Sequence, residues 1–139
     1  MARASRRRGD AARRHADTMW FILFEARPAG LSFQQLVRAS GLSTSQVRAG
    51  LAMLKDIIAE NGWPPLSCNR ADGYQLGAPR DVLEAYERSV ISEKLTEFGR
   101  FIKATILPHA DAHPGDKWIK HIVAQMNSIE STLDLIKHA

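Results

Sequence analysis

One cysteine, Cys68, stands in the 139 residues, so no intrachain disulfide can staple the fold and a zinc site built of cysteines is disfavoured. A lone thiol suits a reducing cytoplasm, and a cytoplasmic, nucleoid-associated location is expected. Cys68 reads as core filling rather than as a redox switch. Long apolar runs are missing too. The longest, residues 19–24, is far too short to cross a bilayer, and no membrane partner is expected. The Arg-rich start lacks the small-residue cleavage site of a secretory signal. Catalytic constellations are equally scarce. No Ser/His/Asp or Cys/His arrangement and no phosphate-cradling glycine loop is legible, and the carboxylates fall mainly on solvent-facing helix positions. Neither an enzymatic activity nor a cofactor is expected. His109, Asp111, His113 and Asp116 carry ligand-type side chains, but the Ala and Pro residues between them mark a plain loop, so no metal site is assigned.

What is present is unevenly placed positive charge. Residues 1–14 hold six Arg against one Asp, and residues 27–80 hold six basic against three acidic side chains. Residues 15–26 hold only Asp17 and Glu25, and beyond residue 80 nine acidic side chains face seven basic ones. The two positive parts are those expected to meet a polyanion. Residues 1–9 show no apolar periodicity and crowd Arg3, Arg6, Arg7 and Arg8 together. A flexible basic arm is expected there, either following phosphates or entering a narrow minor groove, or else serving as a solvated tail.

The organising stretch is residues 31–58, where one helix-starting phrase occurs twice. Leu31-Ser32-x-x-Gln35-Leu36 and Leu42-Ser43-x-x-Gln46-Val47 each set a Ser at the N-cap, a Gln three residues on, and an apolar pair with the spacing of a hydrophobic staple. The first helix can run only over about residues 33–40, because Gly41 supplies the positive φ that turns the chain. The second helix is expected to bury Val47, Leu51, Leu54 and Ile58. Ser45, Arg48, Ala49 and Ala52 then share another face. A short helix, a glycine turn and a longer helix form a helix-turn-helix, whose second helix can enter the DNA major groove. Its small, polar face suits base edges, with Ala near a thymine methyl and Arg48 pairing with guanine or phosphate. Ser43, Thr44, Gln46 and Lys55 flank that face. The competing reading is an ordinary helical hairpin with a solvated face.

Before this stretch, residues 10–26 form a helix that stops at Pro28-Ala29-Gly30. It is apolar around its circumference from Met19 to Phe24. It must therefore be covered on a second side, by its own chain or through Trp20 by another subunit. After Asn61-Gly62, the runs Leu66-Ser67-Cys68 and Tyr74-Gln75-Leu76 flank the turn formers Asn69 to Gly73 and predict a β-hairpin. Residues 10–76 thus resemble the winged helix-turn-helix DNA-binding domains of bacterial transcription regulators, with the hairpin ending Asp72-Gly73-Tyr74-x-Leu76. The resemblance implies that Arg70 at the wing tip reaches DNA backbone or minor groove, and that Tyr74 and Leu76 anchor the hairpin. Gly50 departs from a good helix sequence, and close approach of another helix is the expected reason.

From residue 78 a two-helix region is predicted. A long amphipathic helix over residues 80–107, of about 40 Å, carries Leu83, Tyr86, Val90 or Ile91, Leu95, Phe98, Ile102 and Ile106 and ends at Pro108. A loop over residues 109–115 leads to an Asp116-capped helix. Its apolar positions Ile119, Ile122, Met126, Ile129, Leu133 and Ile136 step three, four, three, four, three. An antiparallel pair of such helices leaves apolar surface around Phe98, Phe101 and Trp118. The cover is a second copy through Trp20, Phe98, Ile102, Trp118 and the seam from Ile122 to Ile136, or the chain's own winged domain.

The fold class expected is mainly α with a small β-hairpin: an arm (1–9), a winged helix-turn-helix domain (10–77) and a C-terminal dimerisation hairpin (78–139). The function expected is that of a homodimeric, sequence-specific regulator of transcription, a repressor, that binds double-stranded DNA at half-sites one helical turn apart. Host, phage and plasmid settings stay open. The alternative is a winged-helix interaction module whose C-terminal helices bind a protein partner with little DNA contact, which leaves Arg48, Arg70 and the basic start unexplained. Tyr86, Phe98 and Trp118 read as core rather than as the lining of a small-molecule effector pocket.

Overall fold

Two reciprocal caps build the centre of the molecule. In the computed structural model, which describes the backbone of residues 2–139 and the side chains of residues 9–139, α2 (Phe33–Ser40) and α3 (Thr44–Asn61) each start on the expected Ser. Ser32 Oγ accepts from the Gln35 N–H at 3.1 Å while Gln35 Oε1 accepts from the Ser32 N–H at 2.8 Å. Ser43 and Gln46 repeat the arrangement at 3.2 and 2.9 Å. Gly41 closes α2 at φ 69°, donating its N–H to Val37 O, and Gly62 closes α3 at φ 62°.

α1 (Ala2–Ala26) lies against α3. The helix starts at Ala2 rather than near residue 10, so the backbone expected to form a flexible arm is helical. Ala and Arg are good helix formers, and no Pro stands in residues 2–9. The side chains of Arg6, Arg7 and Arg8 lie outside the described residues. Ala16, Met19 and Leu23 of α1 are buried with Leu36, Val47, Leu51, Leu54 and Ile57. Burying each large apolar side chain contributes about 1.5–3 kcal/mol before conformational entropy is subtracted. Gly50 is why α1 comes so close: a Cβ there would lie 2.9 Å from the carbonyl carbon of His15. The close approach also corrects one expected core position. Ile57, seven residues after Gly50 on the same side of α3, is 5% exposed, whereas Ile58 is only half-buried.

The second apolar side of α1 is covered partly by its own chain. Trp20 stacks on Phe24 at 4.8 Å and packs on Trp63, just after α3, at 4.9 Å. Trp20 is half-buried in this unit, and Phe21 is 60% exposed.

A β-hairpin follows α3. β1 (Leu66–Asn69) pairs antiparallel with β2 (Gly73–Leu76), Ser67 opposite Gln75 and Cys68 opposite Tyr74. Leu31 adds a bridge on the other edge of β2, exchanging two hydrogen bonds of 2.7 and 2.8 Å with Tyr74. The bridge joins the hairpin to the residue that precedes the α2 cap. Leu76 is buried, Tyr74 is half-buried, and Cys68 is a half-buried free thiol.

The chain divides into two compact units, Met1–Leu83 and Glu84–Ala139, a few residues beyond the expected boundary. The C-terminal unit departs from a plain hairpin. α4 (Arg80–Phe101) passes into a π-helical turn, Ile102–Ile106, and then into α5 (Leu107–Ala112). Pro108 therefore does not stop the helix. Its lost N–H falls in the first turn of α5, directly after the turn in which the Leu107 N–H reaches back five residues to Ile102 O. The expected loop over 109–115 shrinks accordingly, since His109 to Ala112 are helical. α6 (Lys117–Lys137) starts on Asp116, whose side chain accepts from the Trp118 N–H at 2.9 Å. Among the described residues no helix is long and apolar enough to cross a membrane.

Candidate nucleic-acid interface

The side of α3 opposite its core stripe is exposed along its length. Ser45, Arg48, Ala49, Ala52 and Lys55 are exposed, as are Ser43, Thr44 and Gln46 at the N-terminal end. Ser43 Oγ lies 3.4 Å from Ser45 Oγ. The two capping side chains are thus engaged in holding the helix start, whereas Thr44, Arg48 and Lys55 have no hydrogen bond or ion pair among the described residues. A face of small side chains with one long donor lets a partner surface come close to the helix and meet a single guanidinium with five N–H groups to give.

Arg48 is not simply extended into solvent. Its guanidinium carbon sits 5.3 Å from the centroid of the Phe33 ring, at the first residue of α2. Beside it a shallow hollow of about 320 Å³ is lined by Phe33, Gln34, Val37, Arg38 and Thr44. Gln34 and Arg38 are exposed there. The sequence reading missed this α2 contribution. Arg38 was legible as an exposed cation in the last turn of α2, but the meeting of Phe33 with Arg48 depends on how α2 crosses α3, which no spacing reveals.

At the end of the hairpin, Asn69 Oδ1 accepts from the Asp72 N–H at 2.6 Å and Asn69 Nδ2 donates to Asp72 Oδ2 at 3.3 Å. This side-chain turn fixes the tip and leaves Arg70 exposed at it, as the sequence suggested. Two further cations of the N-terminal unit, Arg13 and Arg27, are engaged. Arg13 pairs with Glu60 at 3.3 Å, and Arg27 lies 3.9 Å over the Phe24 ring. The exposed pair is worth little stability, but it neutralises one charge of each sign.

The residues expected to join two copies separate into two groups. Ile102 is 4% exposed, in the π-helical turn packed on α6, so it is spent inside its own unit. Phe98, Ile122, Met126 and Leu133 are half-buried. Trp118, Ile129 and Ile136 are 63, 37 and 45% exposed, and Leu135, outside the expected seam, is 74% exposed. His109 Nε2 lies 3.7 Å from Asp116 Oδ2 near the start of α6. Among the described residues no group of three or more His, Cys, Asp or Glu side chains converges as a metal site would require.

Compared with known proteins, the chain matches no family model, no curated protein and no solved structure.

Proposed function

We propose that the chain is a homodimeric regulator of transcription that binds double-stranded DNA in a sequence-specific way, through a winged helix-turn-helix. In this reading α2 and α3 are the paired helices, α3 is the recognition helix, and β1–β2 is the wing. The observation that carries it is the surface of α3: one stripe is wholly buried, while Ser45, Arg48, Ala49 and Ala52 stand exposed and uncrowded. In this reading Arg48 pairs with a guanine edge and the Ala methyls meet thymine. Arg70 at the wing tip and Arg38 on α2 suit the flanking phosphates, contacts that set register and carry no sequence information. Repression follows from occupying a promoter site and needs no second surface.

The dimer rests on the C-terminal unit. Trp118, Ile129, Leu135 and Ile136 leave more apolar surface in water than a solitary helix pair tolerates, and a second copy covers it symmetrically. The same exposure favours one other reading, a module whose α6 holds a different protein. That reading gives Arg48 and Arg70 no task.

The test is selection of duplexes from a random pool by the purified full-length chain. A palindromic consensus with half-sites about one helical turn apart is expected. Recovery of unenriched sequence would overturn the proposal in favour of the interaction module.

A further inference from the structure

The contact between Phe33 and Arg48 joins a half-buried residue of α2 to the exposed face of α3. Phe33 is held firmly. It is the first residue of a helix whose cap is closed in both directions by Ser32 and Gln35, and its ring packs against the buried cluster around Leu36. Arg48 is exposed on α3, and among the described residues its side chain makes no hydrogen bond or ion pair. The 5.3 Å separation falls within the reach of a cation–π contact. A cation–π contact is made by the charge and occupies no hydrogen-bond acceptor, so it leaves the guanidinium N–H groups unspent. The side chain is thereby restricted before any partner arrives, without losing a donor.

We propose that Phe33 is a specificity-determining positioning residue, whose ring holds the Arg48 guanidinium for bidentate pairing with a guanine edge. The proposal rests on the DNA-reading role of α3. It adds that the base preference depends on an aromatic ring that touches no base. An aliphatic side chain at position 33 fills the same half-buried space but offers no negative ring face, so core filling and positioning can be separated.

The experiment measures the ratio of affinities for the selected duplex and a scrambled duplex, at one salt concentration, for wild type, Phe33→Leu, Phe33→Tyr and Arg48→Ala. Melting temperatures are recorded alongside. Phe33→Leu should lower the ratio about two- to fivefold, the equivalent of about 0.5–1 kcal/mol. Phe33→Tyr should keep the wild-type ratio, and adding Phe33→Leu to Arg48→Ala should lower the ratio no further. A wild-type ratio for Phe33→Leu, with a lowered melting temperature and a clear loss in Arg48→Ala, would overturn the positioning role and leave the recognition helix standing. A wild-type ratio for Arg48→Ala itself would overturn both.

Discussion

Replacing Gly50 by Ala sets two effects of opposite sign against each other at the closest approach of α1 and α3. Inside a helix, Ala is favoured over Gly by about 0.8–1 kcal/mol, so propensity alone predicts a more stable protein. The added Cβ, however, would stand 2.9 Å from the His15 carbonyl carbon, 3.0 Å from its oxygen and 3.1 Å from its Cβ. Two of these are main-chain atoms that no rotamer change can move, and the site is closed by the buried neighbours Val47 and Leu51. Overpacking of this kind costs about 1–3 kcal/mol, so the helices must separate and the net effect is a loss of about 1 kcal/mol. In a unit of this size that lowers the melting temperature by about 4–8 °C, read by far-UV circular dichroism. Gly9→Ala provides the contrast, because Gly9 is also helical and nothing lies within 4 Å of its added Cβ. It should leave the melting temperature unchanged or raised. A Gly50→Ala variant as stable as wild type would show that α1 and α3 do not meet as tightly as described.

Ser43→Ala removes the acceptor for the Gln46 N–H and loosens the reciprocal bond that the Ser43 N–H donates to Gln46 Oε1. A loss of about 1 kcal/mol in urea unfolding is expected, and an unshifted midpoint would mean that the cap contributes nothing to the helix that carries Arg48. Ile129→Asp places a charge at the exposed edge of the α6 seam, where the residue is already 37% exposed and its replacement leaves a half-buried interior intact. Sedimentation equilibrium should show folded monomers, and an unchanged dimer would remove this interface.

The parts of the fold governed by short-range chemistry were legible in the sequence. Ser32, Gln35, Ser43 and Gln46 specify two helix starts by themselves, Gly41 and Gly62 specify the ends, and the turn formers from Asn69 to Gly73 specify the hairpin. What escaped depended on tertiary packing. The exchange of Ile57 for Ile58 follows from where α1 crosses α3, and the burial of Trp20 follows from Trp63, which lies far along the chain. Pro108 was read as a terminator because an α-helix cannot accommodate it in its interior. A π-helical turn placed just before it sets the proline at the start of a new helical segment, and local propensity does not announce such a turn. The heptad spacing of α6 located its apolar residues but not their division. Met126 and Leu133 turn inward, while Ile129 and Ile136 stay at the edge. For the candidate interface, the exposed face of α3 was readable from period alone, whereas the shelf under Arg48 was not.

The proposed reading of DNA sequence by α3 is tested most directly by a titration of Arg48→Ala and Arg70→Ala against the selected and scrambled duplexes at a single salt concentration. Arg48 is the long donor on a face otherwise made of Ser45, Ala49 and Ala52. A bidentate Arg–guanine pair discriminates by about 1–3 kcal/mol. Arg48→Ala should therefore weaken binding to the selected duplex about 5- to 150-fold while scarcely changing binding to the scrambled one. Arg70→Ala, at the hairpin tip, should weaken both to similar degrees. If Arg48→Ala binds both duplexes as wild type does, α3 is not the reading helix and the account of this protein as a sequence-specific regulator is contradicted.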